Sequence, residues 1–221
     1  GLSLMSSHTT SSQKLPFQVD LENAIVTFIF AGAVECAFLI APFYFARRAF
    51  HGMQDQRRRV LDALGFRRFD AAQAFSWIIL FFMLLIGVNV LYQFAITALH
   101  LNLQTNDQRI LIESKSAPLT TYATLIASVV VAPFCEELFF RSFVFMGLLR
   151  SMSLYAAIIF SALIFAVAHA DVGSFIVLLI IGILLAFLRW RTHSIWPCIC
   201  LHLLNNLLGA LQIVLILQGK V

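Results

Sequence analysis

The chain has 221 residues, 61% of them hydrophobic and 12% charged, and a formal net charge of +4. A mean hydropathy of +0.90 is far above that of a soluble globular domain and indicates a membrane protein. The positive charge does not indicate nucleic-acid binding, because the aromatic residues, including 22 Phe, lie mainly within apolar runs and the basic residues flank those runs.

The chain begins with a segment rich in Ser and Thr, predicted to be a disordered tail over residues 1–18. Residues 19–221 are predicted to form one all-α, polytopic membrane domain, a bundle of about six to eight helices. Apolar runs long enough to cross a hydrocarbon core of about 30 Å follow one another closely. The predicted spans cover residues 23–45, 75–100, 119–149, 154–168, 175–188 and 195–217.

Two features of these runs predict irregular structure. Pro133 lies near the middle of the long third run, which favours a kinked or broken helix and, if the helix splits, a seventh span. The fourth and fifth runs reach only about 22 Å as helices, so the turn at residues 169–173 is predicted to lie below the membrane surface, facing protein or a watery cavity. With six spans, the arginine-rich flanks all lie on one side, predicted to be cytoplasmic. In this arrangement Glu136 and His169 lie nearer the outer face.

The cysteines lie in apolar stretches and form no CxxC pattern. Cys36, Cys135, Cys198 and Cys200 are therefore predicted to be small buried hydrophobic residues. Cys135 directly precedes two glutamates, which disfavours a reactive thiolate there.

Ionisable side chains at membrane depth cost several kcal/mol unless they are paired, so those in the spans are functional candidates. They are Glu35, Glu136, Glu137, Arg141, His169 and His202, with Asn206 on the face of His202. Each is also compatible with a purely structural role, as a buried ion pair or a hydrogen bond between helices. Together, however, a carboxylate, two imidazoles and an amide form a plausible hydrolytic set.

These residues match three signatures in order and without substitution. They are EExxxR at Glu136, Glu137 and Arg141, FxxxH at Phe165 and His169, and HxxxN at His202 and Asn206. The chain thereby resembles the CAAX prenyl protease and bacteriocin-processing family of intramembrane endopeptidases. The resemblance covers residues 119–217, which are predicted to form the catalytic core, whereas the first two spans carry none of these signatures.

The resemblance implies that Glu136 is the base that activates water. Helical spacing indicates the same residue independently, because Glu137 and Arg141 are four positions apart and can neutralise each other, which leaves Glu136 unpaired beside Pro133. Glu137 and Arg141 would then be a supporting pair.

The resemblance leaves two roles open for His169, His202 and Asn206. They either coordinate a divalent metal or donate hydrogen bonds to the tetrahedral oxyanion. Glu136, His169 and His202 would suit zinc with one open position, but a ligating Glu136 is less free to act as base. A metal-free reaction through Glu136 is the alternative.

The predicted function is hydrolysis of a peptide bond in a membrane-associated peptide or protein tail, by a multi-pass protein of the cell membrane. A prenylated tail, a bacteriocin leader and a sorting peptide remain equally compatible with these residues. The main alternative is a non-catalytic membrane scaffold or regulator of the same fold that binds a partner enzyme. A small transporter, suggested by Glu35 and Asn89, is weaker because no inverted repeat is visible.

Overall fold

The computed structural model describes residues 16–101 and 103–220, and the regular structure in these ranges is helical. The helices named here are α1 Pro16–Ala49, α2 Gln56–Ala63, α3 Ala71–Ala98, α4 Asn106–Ser114, α5 Pro118–Leu148, α6 Leu154–Ala168, α7 Phe175–Thr192 and α8 Trp196–Leu217. Among the described residues, α1, α3, α5, α7 and α8 are long and apolar enough to cross a membrane, and α6 is a shorter apolar helix. The predicted all-α, polytopic bundle is confirmed.

α1 begins at Pro16, so the predicted tail lies outside the described residues as far as residue 15. The helix is interrupted by a turn at residues 38–39 and extends to Ala49. The Asp20 carboxylate accepts hydrogen bonds from the backbone N–H groups of Leu119 (2.9 Å) and Thr120 (3.1 Å). Because the first N–H groups of a helix have no partner within it, Asp20 caps α5 and fixes α1 beside it.

α5 is continuous, so Pro133 does not split it and the seven-span alternative is wrong. The irregularity instead takes the form of two π-helical stretches, Ala127–Val131 and Leu138–Phe145, on either side of the α-helical stretch Ala132–Glu137. Proline has no N–H to donate, and a wider π turn is one way for a helix to accommodate it. Glu136 lies between these two wide stretches.

α6 and α7 approach each other at small residues. A Cβ atom added to Gly182 would lie 2.9 Å from the Cα atom of Ala162, so only glycine fits at this crossing. The close contact brings α6 against the buried hydrophobic core that contains Phe140, Phe165 and Leu201. This core underlies the polar residues of α5, α6 and α8.

The two ends of the bundle have different contacts. At one end, the backbone N–H of Ile195 donates to Gly65 (2.8 Å) and the Ser194 hydroxyl donates to the carbonyl of Arg67 (2.9 Å). The basic connection after α2 therefore lies beside the turn between α7 and α8. At the other end, the Asp171 carboxylate accepts from the backbone N–H groups of Asn106 and Ser174, each at 3.1 Å, which fastens the start of α4 to the turn after α6.

The cysteine prediction is only partly right. Cys135 and Cys198 are buried, as expected for small hydrophobic residues, but Cys36 and Cys200 are exposed on the outer surface of the bundle. Both exposed cysteines lie on apolar helices, where hydrophobicity alone does not distinguish an outward face from an inward one.

Candidate active site

A buried ionic cluster lies between α5 and α8. Glu137 and Arg141 are both 0% exposed, and one Glu137 oxygen lies 3.3 Å from Arg141 Nε. The other oxygen, Oε1, lies 2.9 Å from His202 Nδ1. Glu137 therefore links the arginine of its own helix to the histidine of α8.

Aromatic rings complete the surroundings of Arg141. Its Cζ atom lies 4.4 Å from the ring centroid of Phe165 and 5.9 Å from that of Phe140. None of its nitrogen atoms has a hydrogen bond of good geometry with a described residue. Charge pairing with Glu137 and cation–π contacts are therefore the interactions that offset the burial of this guanidinium.

The two histidines of the signatures are oriented by their Nδ1 atoms. His169 Nδ1 lies 2.8 Å from the carbonyl of Phe165 one turn earlier in α6. A carbonyl only accepts hydrogen bonds, so Nδ1 carries the proton. The Glu137 carboxylate likewise accepts a hydrogen bond from His202 Nδ1, so His202 also carries its proton on Nδ1. In the neutral ring of each histidine, Nε2 is then the atom with a free lone pair.

Both Nε2 atoms face one oxygen of Glu136. Glu136 Oε2 lies 3.6 Å from His169 Nε2 and 4.0 Å from His202 Nε2. The oxygen is buried and has no hydrogen-bond partner among the described residues. The structure thus brings together Glu136 of α5, His169 directly after α6, and His202 of α8.

Asn206 lies one turn after His202 on α8. Its side-chain Nδ2 donates to the backbone carbonyl of Ser128 at 2.9 Å, and its Oδ1 accepts from Asn205 Nδ2 at 3.3 Å. Asn206 thus lies beside the other three residues but bonds to the backbone of α5.

These four residues line one cavity of about 400 Å³, within the range of small-ligand sites. Its wall also includes Glu35, Asn89, Asp107 and Asp171, and α4 contributes to it. Glu35 had no predicted part in the hydrolytic set, and Asp107 and Asp171 were not predicted to lie at the site. The predicted submerged turn at residues 169–173 was the available signal for Asp171. A wider groove between α1 and α2 contains none of the signature residues.

The donor atoms at Glu136, His169 and His202 are of types that bind zinc. In tetrahedral coordination with ligands at about 2.0 Å, two ligand atoms lie about 3.3 Å apart. The observed separations of 3.6 and 4.0 Å are larger, and the described residues include no group of three or more His, Cys, Asp or Glu side chains with metal-binding geometry. This arrangement is too open for a preformed metal site.

Residues 118–208 match the family model described as "Type II CAAX prenyl endopeptidase Rce1-like". This region, which is less than half of the chain, is similar to that family. The match runs from the start of α5 into α8 and includes all residues of the three signatures, so the predicted resemblance is confirmed for this part of the chain.

A relative from Bacillus subtilis (strain 168) is named "Putative membrane peptidase YdiL". It is 35% identical over 101 residues, which are 46% of this chain and 40% of the relative. The chain thus spans less than half of that relative's length. No solved structure matches the chain with significance. Helices α1 to α4, including Glu35 and Asp107, lie outside the Rce1-like match.

Proposed function

We propose that this multi-pass membrane protein is an intramembrane endopeptidase in which Glu136 activates water to cleave a peptide bond of a membrane-associated peptide or protein. The proposal depends on one observation. Glu136 Oε2 is buried, has no hydrogen-bond partner among the described residues, and faces the Nε2 atoms of His169 and His202. A buried polar atom without a partner is costly and indicates that something else binds there.

A water molecule fits this space. A water oxygen can lie about 2.8 Å from both Glu136 Oε2 and one of the Nε2 atoms. For the observed separations, the two hydrogen bonds then form an angle of about 80–90° at the water oxygen. The water can donate one hydrogen to Glu136 and the other to a histidine. That histidine would thereby orient the water while Glu136 acts as general base.

The reaction then follows from these positions. As the water oxygen bonds to the substrate carbonyl carbon, its proton moves to Glu136 Oε2. The carbonyl oxygen becomes negatively charged and needs a donor, which Asn206 can supply because its amide has a second hydrogen beyond the one given to Ser128. The proton on Glu136 passes to the departing amine as the carbon–nitrogen bond breaks.

Glu137 and Arg141 would act through their neighbours. Glu137 fixes the tautomer and the ring orientation of His202, and Arg141 partly compensates the Glu137 charge. We infer no reaction step through a metal, because the donor separations are larger than those of a tetrahedral site. We propose the cell membrane as the location of the protein.

The test uses the full chain in liposomes with a library of internally quenched apolar peptides. Wild type is expected to cleave members of the library, and E136Q is expected to lose at least about 100-fold in kcat, the usual contribution of a general base. D55N is the matched control, because Asp55 is an exposed carboxylate in the connection before α2, outside the cavity. Equal cleavage by wild type and a folded E136Q protein would exclude Glu136 as the base, whereas no cleavage by wild type would favour the scaffold alternative.

A further inference from the structure

The cavity of the proposed active site has a one-sided charge. Four carboxylates line it, namely Glu35, Asp107, Glu136 and Asp171. Its described wall includes no lysine or arginine, and its other ionisable side chains are His169, His202 and Tyr92. The basic residues of the connection after α2 lie at the opposite end of the bundle. The cavity is therefore acidic although the whole chain carries a formal net charge of +4.

Two of these carboxylates already have roles. Asp171 accepts one backbone hydrogen bond with each oxygen, from Asn106 and Ser174. Glu136, which is 9% exposed, is the proposed base, and its Oε2 has no hydrogen-bond partner in the described chain. Glu35 and Asp107 are the two remaining carboxylates, and neither helix capping nor proton transfer explains why they line the cavity.

Glu35 lies on α1, where the Rce1-like match does not extend. Its Oε2 is also buried without a hydrogen-bond partner among the described residues. Burying a carboxylate at membrane depth costs free energy, and such a group normally pairs with a cation. None of the ion pairs between described residues includes Glu35.

Asp107 reaches the cavity from α4, the polar helix between α3 and α5. Its Oδ2 lies 3.8 Å from the point where a Cβ on Gly209 of α8 would lie. Its side chain is exposed to solvent, so an entering molecule can contact it. Like Glu35, it belongs to none of the ion pairs between described residues.

We propose that the cavity selects peptides with a lysine or arginine side chain within a few residues of the cleaved bond, and that Glu35 and Asp107 determine this specificity. This inference rests on the proposed function, since it concerns the substrate of the same cavity. A cationic side chain would pair with carboxylates that otherwise have no ion-pair partner, and pairing is stronger in a partly desolvated cavity than in water. An acidic side chain or a free carboxyl terminus at the same place would be repelled by all four carboxylates.

The test compares three internally quenched apolar peptides that differ at one position next to the cleaved bond, where they carry Lys, Gln or Glu. With the full chain in liposomes, kcat/KM is expected to be about tenfold higher for the Lys peptide than for the Glu peptide, equivalent to about 1.4 kcal/mol. The Gln peptide should lie between them. The preference should appear mainly in KM and decrease at high salt, as expected for charge pairing in an open cavity.

Glu35→Gln and Asp107→Asn are each expected to reduce the preference for Lys over Glu by at least about threefold. D55N removes an equal charge outside the cavity and should leave the preference unchanged. If wild type cleaves all three peptides equally, the specificity is overturned and the endopeptidase function stands. If the preference persists in both variants, its assignment to Glu35 and Asp107 is wrong. If wild type cleaves none of the peptides above the E136Q background, the proposed function fails and this inference with it.

Discussion

The side-chain amide of Asn206 on α8 donates a hydrogen bond to the backbone carbonyl of Ser128 on α5 at 2.9 Å. This contact follows from the π-helical register that precedes Pro133. The backbone N–H of Ala132 bonds to Ala127, five residues earlier. In the same register the carbonyl of Ser128 would require an N–H from residue 133, and proline has none. Asn206 supplies the missing donor from another helix.

Asn206→Ala should therefore destabilise the fold by about 1–3 kcal/mol, the cost of leaving a partly buried carbonyl without a partner. Pro133→Ala restores an N–H at position 133, so the double variant N206A/P133A should lose less stability than the sum of the single changes. The measurement is unfolding in detergent for the four members of a double-mutant cycle. Strict additivity would show that Asn206 and Pro133 do not act on the same carbonyl.

The buried pair of Glu137 and Arg141 gives a second prediction. Replacing Arg141 with Met should destabilise the protein by about 3–5 kcal/mol, because the Glu137 charge is left buried without its partner. The double variant E137Q/R141M should recover part of this loss. Stability in detergent measures both effects, and Arg150→Met, at an exposed arginine after α5, is the matched control. An R141M protein as stable as wild type would show that the pair contributes little to the fold.

Asp107 provides a pH-dependent prediction. Burial by the surrounding protein, and to a smaller extent the Asp171 carboxylate, raise the pKa of Asp107. Asp107 as a whole residue is still exposed, so the effect is screened and should be small. A carboxyl group whose pKa is higher in the folded than in the unfolded state stabilises the folded protein at a pH below its unfolded-state pKa, where it is protonated. This stabilisation is lost as the pH rises through the folded-state pKa.

Asp107→Asn should therefore be more stable than wild type at pH 7, and the difference should disappear in acid, below the ordinary pKa of an aspartate. Melting temperatures of the two proteins measured across this pH range check the sign. Asp55→Asn is the control for removing a charge. A difference that grows as the pH falls would contradict the pKa direction.

Metal removal tests whether the proposed site works without a metal, as the wide separations between Glu136 Oε2 and the two histidine Nε2 atoms indicate. We expect peptide cleavage in liposomes to survive prolonged treatment with a chelator such as EDTA. We also expect added zinc not to raise kcat. Loss of activity with EDTA, followed by its recovery with zinc, would instead mean that Glu136, His169 and His202 contract around a metal from their observed separations.

Several features could be predicted because they depend on local sequence. A hydrocarbon core requires each backbone polar group to be bonded within its own helix, so long apolar runs predict spans directly. The short helix α6 was anticipated from run length, and the irregularity of α5 from Pro133, whereas α7 is longer than predicted and ends at Thr192. The spacing of Glu137 and Arg141 also predicted that they share one helical face.

Other features could not be predicted because they join residues far apart in the chain. Asp20 caps a helix that begins about 100 positions later, and Asp171 joins the start of α4 to the turn after α6. The position of Asp107 in the acidic cavity depends on how α4 lies against α8. Helix propensity and hydropathy contain no information about such contacts between helices.

The sequence by itself determined the membrane setting, the helical class and the identity of the signature residues, because burial in lipid and helical spacing act over a few turns. Only the tertiary structure decided that Glu136 Oε2 faces both histidine Nε2 atoms, that Asn206 bonds to the backbone beside Pro133, and that α1 and α4 add carboxylates to the same cavity. These relationships depend on the rotation and relative position of packed helices, which local composition leaves undetermined.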